Sequence, residues 1–189
     1  MKSSVLIPII PAIAHIQHPF PFVYTLCIRL ANVHDYNIPG HTTDGDDMKD
    51  DKKLLNSIVS TVQMGQIGIR SVLDTSVRND LRGALQSQLK EYDTIETEAH
   101  DIASSRGWEL KEVNPAVRKM ADMMTKARLS YGKINSKVAA MMIQGNTRGM
   151  IIGLKDLHQC KNPDSQIKNL SQRLLDCEHA NIQQMQGYL

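Results

Sequence analysis

The stretch from Asn114 to Lys161 constrains this chain most. It opens with Asn114-Pro115, an N-cap residue followed by the first helical position, where proline is favoured. No proline follows until Pro163, and Ala, Met, Leu, Ile and Lys predominate. Met120, Met124, Ala127, Tyr131, Ile134, Val138 and Met141 recur at spacings of four and three, which draws one apolar stripe along a helix. Two glycines, Gly145 and Gly149, then interrupt the pattern within Met141-Met142-Ile143-Gln144-Gly145-Asn146-Thr147-Arg148-Gly149-Met150. An unbroken helix over residues 116–161 would run roughly 69 Å at ~1.5 Å per residue. Neither neighbouring helical stretch is that long, so a break or kink is expected between Gly145 and Gly149.

The flanking segments repeat the helical period. Leu55, Ile58, Val62, Gly65, Ile69 and Val72 step three and four apart, with Gly65 and Gly68 suited to close approach of another helix. Leu81, Leu85, Gln88, Tyr92, Ile95, Ala99 and Ile102 do the same on a second helix, and Gly107 stands where a C-terminal cap belongs. Asn162-Pro163-Asp164 repeats the Asn-Pro start signal before a last helix with Ile167, Leu170, Leu174, Leu175, Ile182, Met185 and Leu189. No strand-like alternation is sustained anywhere. The expected fold is all-α. Short connections favour antiparallel neighbours, giving a four-helix bundle with arms at 51–74, 77–106, 115–160 with a kink, and 164–187.

Residues 1–47 have a different texture. They hold five of the seven prolines, both phenylalanines and only six charged side chains. Pro8, Pro11, Pro19 and Pro21 oppose helix there. The segment reads as a disordered or misassigned N-terminal extension to a bundle over 48–189. A secretory signal, with Ala12-Ile13-Ala14 as its cleavage pattern, ranks second, because its apolar run is short and interrupted by proline. A membrane anchor ranks last, since the run from Phe20 to Leu30 contains Arg29 and is too short to span a bilayer. A net charge of +2 without a basic block or aromatic interleaving argues against a nucleic-acid surface. Cys27, Cys160 and Cys177 are odd in number and far apart, as reduced intracellular thiols would be.

Motifs for catalysis are missing. No G-x-S-x-G, P-loop or G-x-G-x-x-G occurs. A di-metal bundle site needs a Glu from each of two helices and Glu-x-x-His from each of the others. The first helical stretch has no Glu, nor has 115–160, and Glu-x-x-His is absent. The nearest approximations are weak metal candidates. Asp176 and His179 have the spacing but fall on the outer face of the last helix. Glu96 and His100, four apart, flank their stripe and read as a surface pair. Glu178, the remaining weak candidate for a metal site, lies on the stripe of Leu175, Ile182 and Met185, where a carboxylate is costly unless satisfied. Gln88, Tyr92 and Tyr131 occupy stripe positions elsewhere and could join it in a buried polar layer that fixes helix register. No metal or other cofactor is expected.

The segment Met141-Met142-Ile143-Gln144-Gly145, with Leu174-Leu175 and the run from Glu178 to Leu189 behind it, resembles a family of small ferritin-like helical-bundle proteins. That family is akin to spore coat protein F of Gram-positive spore formers, and the likeness covers residues from about 50 to 189. The resemblance implies a ferritin-like fold and most often no assigned activity. The metal-ligand set of ferritins and rubrerythrins does not carry over, because the matching positions lack Glu-x-x-His. The resulting expectation is a non-enzymatic bundle acting through protein contacts, as a homo-oligomer or coat-like component, in the cytoplasm or associated with a spore. A metal-binding redox or iron-handling protein with a degenerate site is the alternative.

Overall fold

The computed structural model describes residues 43–129 and 134–189. Expectations for residues 1–42 and for Tyr131 lie outside this range. The described residues form five α-helices and no strand: α1 Thr43–Leu73, α2 Asn79–Ser105, α3 Pro115–Leu129, α4 Ile134–Gln159 and α5 Ser165–Gln186. The fold is all-α. Helix α1 begins upstream of Met48, where the change in sequence texture had placed the start.

Each boundary has a local cause. Helix α2 ends where Gly107 adopts a φ of 66°, a left-handed conformation that costs glycine nothing. The Trp108 N–H then turns back to the Ala103 carbonyl at 2.9 Å. The Asn114 side-chain oxygen accepts from the Ala116 N–H at 2.8 Å and starts α3. Helix α5 is capped by Asp164 rather than Asn162, its carboxylate accepting from the Gln166 and Ile167 N–H groups.

The long third helix of the sequence reading is two helices, and its break is not at the glycines. Helix α4 runs without interruption through Gly145 and Gly149. The division comes earlier because α3 and α4 serve different partners. Val117 and Ala121 of α3 bury against Met64 and Ile67 of α1 in a small cluster with Val113. Val138, Ala139 and Met142 of α4 enter the main core instead. The buried face of α3 is therefore Val117, Ala121, Thr125 and Leu129, while Met123 and Ala127 are exposed and Met120 and Met124 are only half-buried.

Helix α1 packs against all four others, α4 packs most extensively against α5, and α2 also meets α5. Val62 and Ile69 of α1, Leu85 and Ile95 of α2, and Leu170 and Met185 of α5 share the main core. One end is fastened by polar groups. Arg106, closing α2, pairs with Asp164 at 2.8 Å and Asp51 at 3.7 Å, and Asp51 also accepts the Asp164 N–H at 2.9 Å. No described helix is long and apolar enough to cross a membrane.

Candidate functional site

Glycines shape a cleft between α1 and α4. Gly65 and Gly68 on α1 face Gly145 and Gly149 on α4, and the space between them has a volume of about 50 Å³. Gly65 is there for Tyr92, since a Cβ at that position would lie 2.5 Å from the phenol ring. Gly149 is there for Glu178, whose Oε1 would be 2.6 Å from an added Cβ. Gly68 differs, because a Cβ there would meet nothing within 4 Å. Met64, Met141, Met142 and Ile152 supply apolar wall.

The floor is polar and buried. Glu178 of α5 is 2% exposed and Tyr92 of α2 is fully covered. The Tyr92 hydroxyl donates to Asn146 Oδ1 at 3.2 Å. Burial pushes the Glu178 carboxyl up to about 8, and its hydrogen bond with Tyr92 only tempers that rise. Burial, reinforced by the charge of Glu178, likewise pushes the Tyr92 hydroxyl well above its ordinary value. Cys177 is pushed up to about 11 by burial and then by the Glu178 charge, so it is no nucleophile at neutral pH. Two buried atoms on this floor lack hydrogen-bond partners, Glu178 Oε2 and Asn146 Nδ2. Leaving such atoms unpaired costs ~1–3 kcal/mol each.

The other sequence candidates sit elsewhere. Gln88 is buried and donates to Gln184 Oε1 at 2.8 Å, outside the cleft. Asp176 and His179 are both exposed, each bonded to a glutamine four residues away on α5. Glu96 and His100 form more than the surface pair read from the sequence. Both are half-buried, and with Glu112 from the loop after α2 their ligand atoms lie within 4.8 Å of one another. The reason is Gln63, buried on α1, whose Nε2 donates to Glu96 Oε1 and Glu112 Oε2, each at 2.6 Å. Gln66 Nε2 reaches Glu96 Oε2 at 2.6 Å, and Arg118 reaches Glu112 Oε2 at 2.9 Å. Three of the four carboxylate oxygens of Glu96 and Glu112 thus already accept hydrogen bonds, which a metal ion bound there would share. Glu112 Oε1 and His100 Nε2, 3.6 Å apart, remain for it.

Sequence reasoning did not single out Asn146 or Glu112. Asn146 carried a faint signal, a polar residue four after Met142 and three before Gly149 on the same helical face. Glu112 carried none, because a loop residue has no period. Comparison of the chain with protein-family models, with curated proteins and with solved structures gives no match.

Proposed function

We propose that this chain is a non-enzymatic, ferritin-like four-helix bundle, built from α1, α2, α4 and α5, that acts by binding a small guest in the cleft between α1 and α4. The packing of α1 on α2 and α4, and of α5 on α2 and α4, supports the bundle. The observation that carries the binding reading is the cleft floor, where Glu178 Oε2 and Asn146 Nδ2 are buried without partners beneath apolar walls. Natural interiors rarely leave such groups unpaired. The test uses the open space at Gly68. A Cβ at Gly68 meets nothing within 4 Å, so Gly68→Leu should project into the cleft, and small fragments detected on the parent by ligand-observed NMR should be lost from a folded variant. Equal fragment binding by the two proteins would count against the reading.

Protein contact is a second reading, favoured by Ile151 and Leu154, which stand 61% and 42% exposed three residues apart on α4. A homo-oligomeric or coat-like assembly would cover them. Sedimentation of the parent and of an Ile151→Glu, Leu154→Glu variant checks this, with a lower mass for the variant supporting it and one monomeric mass for both opposing it. The metal-handling alternative draws on Glu96, His100 and Glu112. Stoichiometric iron, manganese or zinc that disappears in His100→Ala would favour it over the cleft.

A further inference from the structure

We propose that the guest of this cleft is a small primary ammonium carried on a short alkyl tail, held by the Glu178 carboxylate with Asn146 beside it. The inference rests on the binding reading and names its ligand class. Shape comes first. A volume of about 50 Å³ accommodates a handful of heavy atoms, given that one water-sized group needs ~10–15 Å³ on this measure. The walls then favour an alkyl tail, because three methionines, Ile152 and bare glycine backbone outnumber the hydroxyl residues Ser60, Thr61 and Thr125. Charge decides the head group. Among the described lining residues there is no Lys, Arg or His, and the sole ionisable groups are Glu178 and Tyr92. An anion would meet a carboxyl and no cation, whereas a cation supplies the counter-charge that burial has denied Glu178.

Hydrogen bonding points the same way. Tyr92 has one hydroxyl proton and two acceptors, Asn146 Oδ1 and the Glu178 carboxyl. With Glu178 protonated, Tyr92 can donate to Asn146 as observed. With Glu178 ionised, the Tyr92 proton turns to the carboxylate. The Asn146 amide can then reverse, its nitrogen donating to the tyrosine oxygen and its oxygen becoming free to accept from a guest, an exchange that leaves the shape of the side chain unchanged. Both unpartnered atoms acquire partners in that arrangement, and the ammonium finds two acceptors. The bound proton balance follows. At neutral pH Glu178 is largely protonated, so capture of an ammonium releases a proton to solvent, while an alkylamine, like lysine, stays charged. Among the groups facing Glu178, α2 brings Tyr92, α5 brings Cys177, and the cleft-lining residues of α1 and α4 bring no titratable side chain.

The experiment is calorimetric titration of the full chain with n-propylammonium chloride at pH 6 and pH 9, in buffers of differing ionisation enthalpy, with 1-propanol as the neutral isostere. The proposal expects tighter binding at pH 9, proton release at pH 7, and weakening of ~10-fold or more in Glu178→Gln at pH 9, the scale of one charge-assisted contact. The variant should release no proton. Binding of 1-propanol as tight as that of n-propylammonium, without pH dependence, overturns the ammonium assignment and leaves the cleft as a binding site. Binding that is unchanged in Gly68→Leu places the guest outside the cleft and overturns both.

Discussion

At the scale of single residues, two glycines one turn apart on α1 should respond in opposite ways to the same substitution. Gly65→Ala drives a Cβ into the buried Tyr92 ring and should destabilise by ~1–3 kcal/mol, as overpacking does. Gly68→Ala meets open space and should stabilise by ~0.8–1 kcal/mol through helix propensity alone. Urea denaturation of both variants measures the contrast, and two changes of the same sign would show that the cleft is misplaced. Glu178 makes a second residue-level prediction. Its folded value of about 8 lies above an ordinary glutamate's 4.5, so between these limits the folded state holds a proton that the unfolded chain has released. Stability should therefore be fullest below pH ~4.5 and fall as pH rises toward 8, at up to ~1.4 kcal/mol per pH unit. Glu178→Gln should remove that slope and be the more stable protein at pH 8. Parallel slopes for the two proteins would show that Glu178 is solvated.

At the scale of elements, the start of α5 is a test of the polar fastening. Asp164 caps two backbone N–H groups and pairs with Arg106, which also faces Asp51. Asp164→Ala should cost ~1–2 kcal/mol in a urea melt, the upper part of the range for a lost cap. Asp164→Asn keeps a capping oxygen and should recover most of that loss. The same scale shows what the sequence disclosed and what it did not. The stripes of α1, α2 and α5 were legible because each helix buries one face along its length. The division between α3 and α4 was not, because Met120, Met124, Ala127, Ile134 and Val138 keep helical spacing straight across it. Periodicity reports a face but not which neighbour that face meets. Glu178 follows from its place between Leu175 and Ile182, yet the cleft above it is invisible in the sequence. Its glycines come from helices about 80 residues apart and mean nothing until α1 and α4 are side by side.

At the scale of the whole molecule, α1 is the element that joins everything else. It packs on every other described helix, so the main core should unfold as one cooperative unit. Helix α3 is the exception. It leans chiefly on α1 through the small cluster of Val113, Val117 and Ala121 with Met64 and Ile67, apart from the main core. Native-state hydrogen exchange should therefore find α3 opening at lower free energy than the centres of α1, α2, α4 and α5. Equal protection across all five helices would contradict this ranking. Thr125 of α3 borders the cleft.

Guest binding in the cleft depends on Glu178 being buried at its floor with one oxygen unpartnered. The carboxyl carbon shift of Glu178, followed by ¹³C NMR from pH 4 to pH 10 and assigned with Glu178→Gln, reports that environment directly. A titration midpoint of about 8 that moves downward when n-propylammonium is added is the predicted result. A midpoint near the ordinary 4.5, unmoved by the amine, would contradict it.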